Sequence, residues 1–115
     1  MFALKWTIEA TEIYIDLEKQ AETAFLNRKN RQETKSSKIE GLFKQVVKTI
    51  NLLKSNPRHP SLKTHEYDSI DNPYRPTDKV FEAYAQNNTP EAYRIFWCYG
   101  PKDKQITIIS ITPHP

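Results

Sequence analysis

The chain has little of the material from which several common sites are built. Its 115 residues include one cysteine, Cys98, and two glycines, Gly41 and Gly100. A lone cysteine excludes an internal disulfide and supplies only one thiolate; Cys98 sits in an apolar run, as a small core residue would. Two isolated glycines leave no glycine-rich phosphate loop, and there is no Gly-x-Ser-x-Gly elbow. Nucleotide-dependent and serine-hydrolase chemistry therefore have no local support. No run approaches the roughly eighteen consecutive apolar residues of a membrane span, and the first residues lack the charged leader and apolar stretch of a secretory signal. The expectation is a cytoplasmic protein that makes no use of a membrane. His59, His65 and His114 form neither a helical pair nor a compact ligand motif, so no metal and no cofactor is expected.

What is present is a patterned chain. Hydrophobic residues make up 37% and charged residues 27%, and the apolar ones gather into periodic segments instead of spreading thinly as in a disordered chain. The length fits one compact domain over residues 1–115, burying roughly two-thirds of the surface of the unfolded form. Seventeen Lys and Arg against fourteen Asp and Glu give a net charge of +3, compatible with an anionic partner. Acids lead the first helical segment (Glu9, Glu12, Asp16) and bases crowd its end (Arg28, Lys29, Arg31), which suits the helix dipole and needs no ligand. A nucleic-acid argument must rest on the later basic residues.

Alternation of Phe2, Leu4 and Trp6 predicts a short strand over residues 2–7. Ile13, Leu17, Ala21, Ala24 and Phe25 follow helical steps, predicting a helix from residue 8 to about residue 30. Ser37-Lys38-Ile39-Glu40 has the form of a capping box. The stripe Ile39, Leu42, Phe43, Val46, Ile50 and Leu53 then runs to Asn56-Pro57, where proline ends the backbone ladder. The two helices should form an antiparallel hairpin. Short strands are expected over 63–67, 79–86, 93–99 and 105–111, with a hairpin loop over 100–104. The expected class is α+β: a short N-terminal strand, a two-helix hairpin, then a three- to four-stranded antiparallel sheet with one face on the helices and the other free to carry a site.

Strict alternation along the last strand would send Ile109 and Ile111 to one face and Ser110, Thr112 and His114 to the other. Arg94 shares a face with Phe96 and Cys98 on the preceding strand. A guanidinium held by a rigid sheet can grip a phosphate and stabilise developing charge, and a histidine can move a proton near neutral pH. Arg58 and Lys63 could hold phosphates in the segment Pro57-Arg58-His59-Pro60-Ser61-Leu62-Lys63-Thr64-His65. Taken alone, these residues favour ordinary alternatives: Arg94 capping a sheet edge or paired with Glu82, His114 in a loose terminus, and a solvated turn anchored by Leu62.

The element order, with Asn56-Pro57 through His65, Tyr93-Arg94-Ile95-Phe96-Trp97, and Ile108 through His114, resembles the small RelE/ParE-like toxins of bacterial toxin-antitoxin modules. The resemblance implies a basic cleft that meets mRNA in the ribosomal A site. There the ribose 2′-hydroxyl attacks the adjacent phosphate without a metal. It implies Arg94 at the scissile phosphate, His114 in proton transfer, Lys63 as a basic contact, Arg58 as a flanking RNA contact, and His65 as a substitute base if the fold brings it near His114. Implied partners are a cognate antitoxin, the ribosome and mRNA. The alternative within the same family is a ParE-like inhibitor of DNA gyrase, or an inert antitoxin-binding protein. Two features depart from YoeB-like chains: Pro115 follows the terminal His where they have Tyr, and no acid near Pro60 and Ser61 matches their general base.

Overall fold

A computed structural model describes residues 1–87 and 91–113, so His114 lies outside the described residues. Strand β1 (Ala3–Trp6) leads into helix α1 (Ile8–Asn30) and helix α2 (Lys38–Ser55). A 3-10 turn (Pro60–Leu62) follows, then β2 (His65–Glu66), β3 (Phe81–Tyr84), β4 (Tyr93–Tyr99) and β5 (Gln105–Pro113). The sheet order is β1-β5-β4-β3-β2. The four C-terminal strands are antiparallel, as expected, and β1 joins the far side of β5 in parallel.

Local chemistry sets these boundaries. Thr7 caps α1 by accepting from the Ala10 amide at 3.1 Å. Ser37 and Glu40 make the reciprocal capping box that starts α2, with the Ser37 amide donating to Glu40 at 2.8 Å. Glu40 also receives the Arg28 guanidinium at 2.9 Å, which ties the end of α1 to the start of α2. Hydrogen bonds from the Ser37 backbone, then the Arg28 and Ser37 side chains, hold the Glu40 carboxyl below its ordinary range against the opposing effect of burial.

The stripe expected on α2 packs on one face of the sheet. Val46, Ile50 and Leu53 meet Ile95, Trp97, Ile106, Ile108 and Ile111, and Leu62 anchors the 3-10 turn in the same core. Truncating one such aliphatic side chain to Ala typically costs about 2–5 kcal/mol.

The opposite face differs from the sequence expectation in two ways. It is not open throughout: Tyr67 and Ile70 fold over Val80, Phe96, Cys98 and Ile109. The buried Asn72 shapes the covering segment, accepting from the Tyr74 and Arg75 amides and donating to the Lys79 carbonyl. Tyr74 reaches the Thr107 hydroxyl at 2.7 Å and pins the segment to β5. Nor does β5 alternate strictly. Phe96 pairs with Ser110 while Trp97 pairs with Ile108, so Ile109 is the extra residue of a bulge. Ile109 therefore joins the outer cluster while Ile111 stays in the helix-side core, separating two residues that alternation had placed together. The bulge also leaves the Ile109 carbonyl to accept the Thr7 hydroxyl at 2.6 Å, locking the start of α1 onto β5.

Candidate functional site

On the outer face, β2 and β4 bring two ionisable side chains, His65 and Arg94, to the carboxylate of Glu82 on β3. Glu82 stands opposite Phe96 and next along from the Tyr84–Arg94 pair, so Glu82 and Arg94 are diagonal neighbours. Glu82 is 1% exposed and Arg94 5%, and the Arg94 guanidinium donates to one Glu82 oxygen. The other oxygen meets His65 Nε2 at 2.7 Å, from the directly opposed position on β2. The His65 side chain keeps 49% of its exposure, so it is the solvent-facing end of this chain of contacts.

The aromatic surroundings hold the arrangement. The Arg94 guanidinium carbon lies 5.1 Å from the Phe96 ring centre and 5.8 Å from that of Tyr67, within cation–π range. The Tyr84 ring is 5.7 Å from that of His65. Burial, followed by the Glu82 charge, pushes the Tyr84 phenol up. The second ring nitrogen of His65 faces the Lys63 carbonyl at 3.1 Å. Carbonyl and carboxylate both accept, so the full set of His65 bonds is made only by the doubly protonated imidazolium.

Arg58 and Lys63 lie at the β2 edge. They border a cavity of about 390 Å³ that opens where the 3-10 turn meets that edge, lined also by His65 and by the rings of Phe81, Trp97 and Tyr99. These rings belong to the helix-side face of the sheet, whereas Glu82 and Arg94 point to the outer face. Lys63 holds a left-handed backbone (φ 50°) that ends the turn and sends the chain into β2. Neither Arg58 nor Lys63 has an ion-pair partner among the described residues.

The structure thus joins Arg94 to His65 through Glu82, and places Arg58 and Lys63 around a cavity that His65 also lines. The sequence reading named Glu82 only as a partner for Arg94 and missed its bridge to His65. The available signal was an acid within the apolar stretch Val80-Phe81-Glu82-Ala83-Tyr84, since a strand acid at such a place is rarely buried without cations beside it. Cys98 is fully buried, and burial, with a smaller effect from Asp78, pushes its thiol up to about 11. That is unsuited to a nucleophile at neutral pH. No group of three or more His, Cys, Asp or Glu placed to hold a metal ion occurs among the described residues.

The fold and site define a small α+β protein with basic groups at one edge of its sheet. Solved chains of this architecture include a YoeB/ParE toxin from Agrobacterium tumefaciens, similar at a TM-score of 0.59 and 10% identity over 97% of this chain and 98% of that one. The YoeB dimer from Staphylococcus aureus is similar at 0.56 and 13% identity over 99% and 98%. RelE in the archaeal RelE-RelB complex from Pyrococcus horikoshii OT3 is similar at 0.53 and 12% identity over 97% and 93%. No family model and no curated protein matches the sequence. The chain has the RelE/ParE-like toxin fold, and at these identities the fold is what the comparison shows.

Proposed function

We propose that this protein is the toxin of a toxin-antitoxin pair, acting as a metal-independent endoribonuclease on mRNA in the ribosomal A site. The observation that carries this reading is the half-exposed His65, held at 2.7 Å by the buried Glu82 at the sheet edge that also bears Lys63 and Arg58. In the reaction the ribose 2′-oxygen bonds to the adjacent phosphorus as the bond to the 5′-oxygen breaks. The products are a 2′,3′-cyclic phosphate and a 5′-hydroxyl. A base takes the 2′-hydroxyl proton and an acid returns one to the 5′-oxygen. The bonds of His65 suit it to begin as the acid, with His114 as its counterpart in proton transfer. Arg58 and Lys63 hold flanking phosphates. Arg94 holds Glu82 and, through it, His65; direct contact with the scissile phosphate requires the guanidinium to exchange Glu82 for the phosphate.

An antitoxin is the expected partner, since one of the chains sharing the fold was solved as RelE with RelB. Action on the ribosome places the proposed activity in the cytoplasm; no helix among the described residues is long and apolar enough to cross a membrane.

A second reading has its own support. The burial of Arg94 in an ion pair favours a ParE-like DNA gyrase inhibitor, or an inert antitoxin-binding protein, over a nuclease that needs a free guanidinium.

Mapping mRNA ends in a reconstituted translation reaction, with and without the purified protein and against the same RNA lacking ribosomes, decides between them. Cuts on translated message alone are the expected result. Uncut message in the presence of folded protein would move the assignment to the second reading.

A further inference from the structure

The cavity at the β2 edge has a wall that phosphate contacts alone do not require. At about 390 Å³ it lies within the roughly 300–1,000 Å³ range of small-molecule sites. Arg58 and Lys63 border it, and the rim acid Glu66 is already engaged by Lys79 at 2.9 Å. Behind these cations stand three rings. Phe81 and Trp97 are stacked at 4.8 Å between centres, and Tyr99 lies edge-on to them at 5.8 and 5.0 Å. Tyr99 remains 39% exposed. Trp97 is buried in the wall, and its indole N–H has no hydrogen-bond partner among the described residues. Cations at the mouth and an accessible aromatic surface match a planar heterocycle carrying a phosphate.

We propose that this cavity is a pocket for one unstacked base of single-stranded RNA. The base lies against Tyr99 and Phe81, with Trp97 behind them in the wall, and Arg58 and Lys63 hold the attached phosphate. The two-residue β2 strand is the outermost of the sheet, and its His65 both meets Glu82 and lines the cavity, so RNA seated there lies against His65. The pocket then sets which nucleotide lies beside the phosphate at His65. This inference rests on the RNA-directed reading above for the source of the nucleotide.

The test is an NMR titration of the isotope-labelled full chain with AMP, with UMP, and with ribose 5-phosphate, which carries the phosphate without a base. The readout is the Trp97 indole N–H resonance, distinguished from that of Trp6 with a Trp6→Phe variant. Nucleotides should displace this resonance and ribose 5-phosphate should not. Tyr99→Ala should weaken nucleotide binding by roughly 5- to 150-fold, the range for losing one base–aromatic stack. Tyr99→Leu, which keeps apolar bulk but loses the ring plane, should weaken it in the same sense should the alanine variant fold poorly. A resonance unmoved by millimolar nucleotide, or moved equally by ribose 5-phosphate, overturns the pocket. Cleavage of translated message is scored separately: its absence with the indole response intact strikes the nuclease reading and leaves the pocket standing.

Discussion

Glu82 and Arg94 meet diagonally across β3 and β4, both nearly withdrawn from solvent, and the same carboxylate reaches outward to His65. A buried pair contributes less than its short contact suggests, because both charges have lost their water. Its consequence lies in what happens when one member is removed.

Glu82→Gln leaves the Arg94 charge buried and uncompensated, and is expected to destabilise the fold by about 3–5 kcal/mol. Replacing both residues with apolar ones of similar volume should recover much of that loss. Denaturant unfolding of the two variants checks this, and equal destabilisation of single and double variants would show that the charge imbalance is not the cause.

His65→Ala should lower ribosome-dependent cleavage by about 10²–10⁴-fold, the usual contribution of a positioned proton-transfer group. Because the ring is half exposed, the variant should unfold near the wild-type midpoint. Undiminished cleavage would take His65 out of the site.

Arg94→Ala should reduce cleavage by about 10²–10³-fold, measured per folded molecule. Full activity would remove Arg94 from the reaction. Deleting His114 and Pro115 should abolish cleavage, and unchanged cleavage would end the role proposed for His114.

Glu40 gives a pH prediction. Its folded-state pKa lies below the ordinary 4.5, so the unfolded chain takes up the proton first as pH falls. The stabilisation it supplies is fully present above 4.5 and is lost as pH falls through the lower folded value. Wild type should therefore melt above Glu40→Gln near neutral pH, with the gap closing in acid. A gap that stays constant into strong acid would mean the carboxylate charge is not the source.

Cys98 should resist alkylation in the native protein, reacting only as fast as the fold opens. Its thiol is raised from 9.0 to about 11 in the folded state, so the unfolded chain ionises first as pH rises. Stability should decline as pH climbs above 9.0, and a Cys98→Ala variant should lack that part of the decline. Rapid labelling under native conditions would contradict the burial that raises the thiol.

Much of the fold was legible because it is written in short-range signals. The Ser37–Glu40 box, the Val46-to-Leu53 stripe and the turn at Asn56-Pro57 act over three or four residues, and α2 begins and ends where they say. Strand β4 coincides with the apolar run that predicted it. The bulge at Ile109 was not legible, because it depends on the register between two strands and on the Thr7 hydroxyl far earlier in the chain.

The site divides in the same way. By itself the sequence determined which residue types were available and which strand face Arg94 would share, since alternation along one strand is a local property. The tertiary structure decided between the readings left open for Arg94 by pairing it with Glu82, and it alone brought His65 to that carboxylate and set Arg58, Lys63 and His65 around one cavity at the sheet edge. The pairing of β2 with β3 and of β3 with β4 brings these groups together, and such pairing is set by the packing of the whole sheet against its helices.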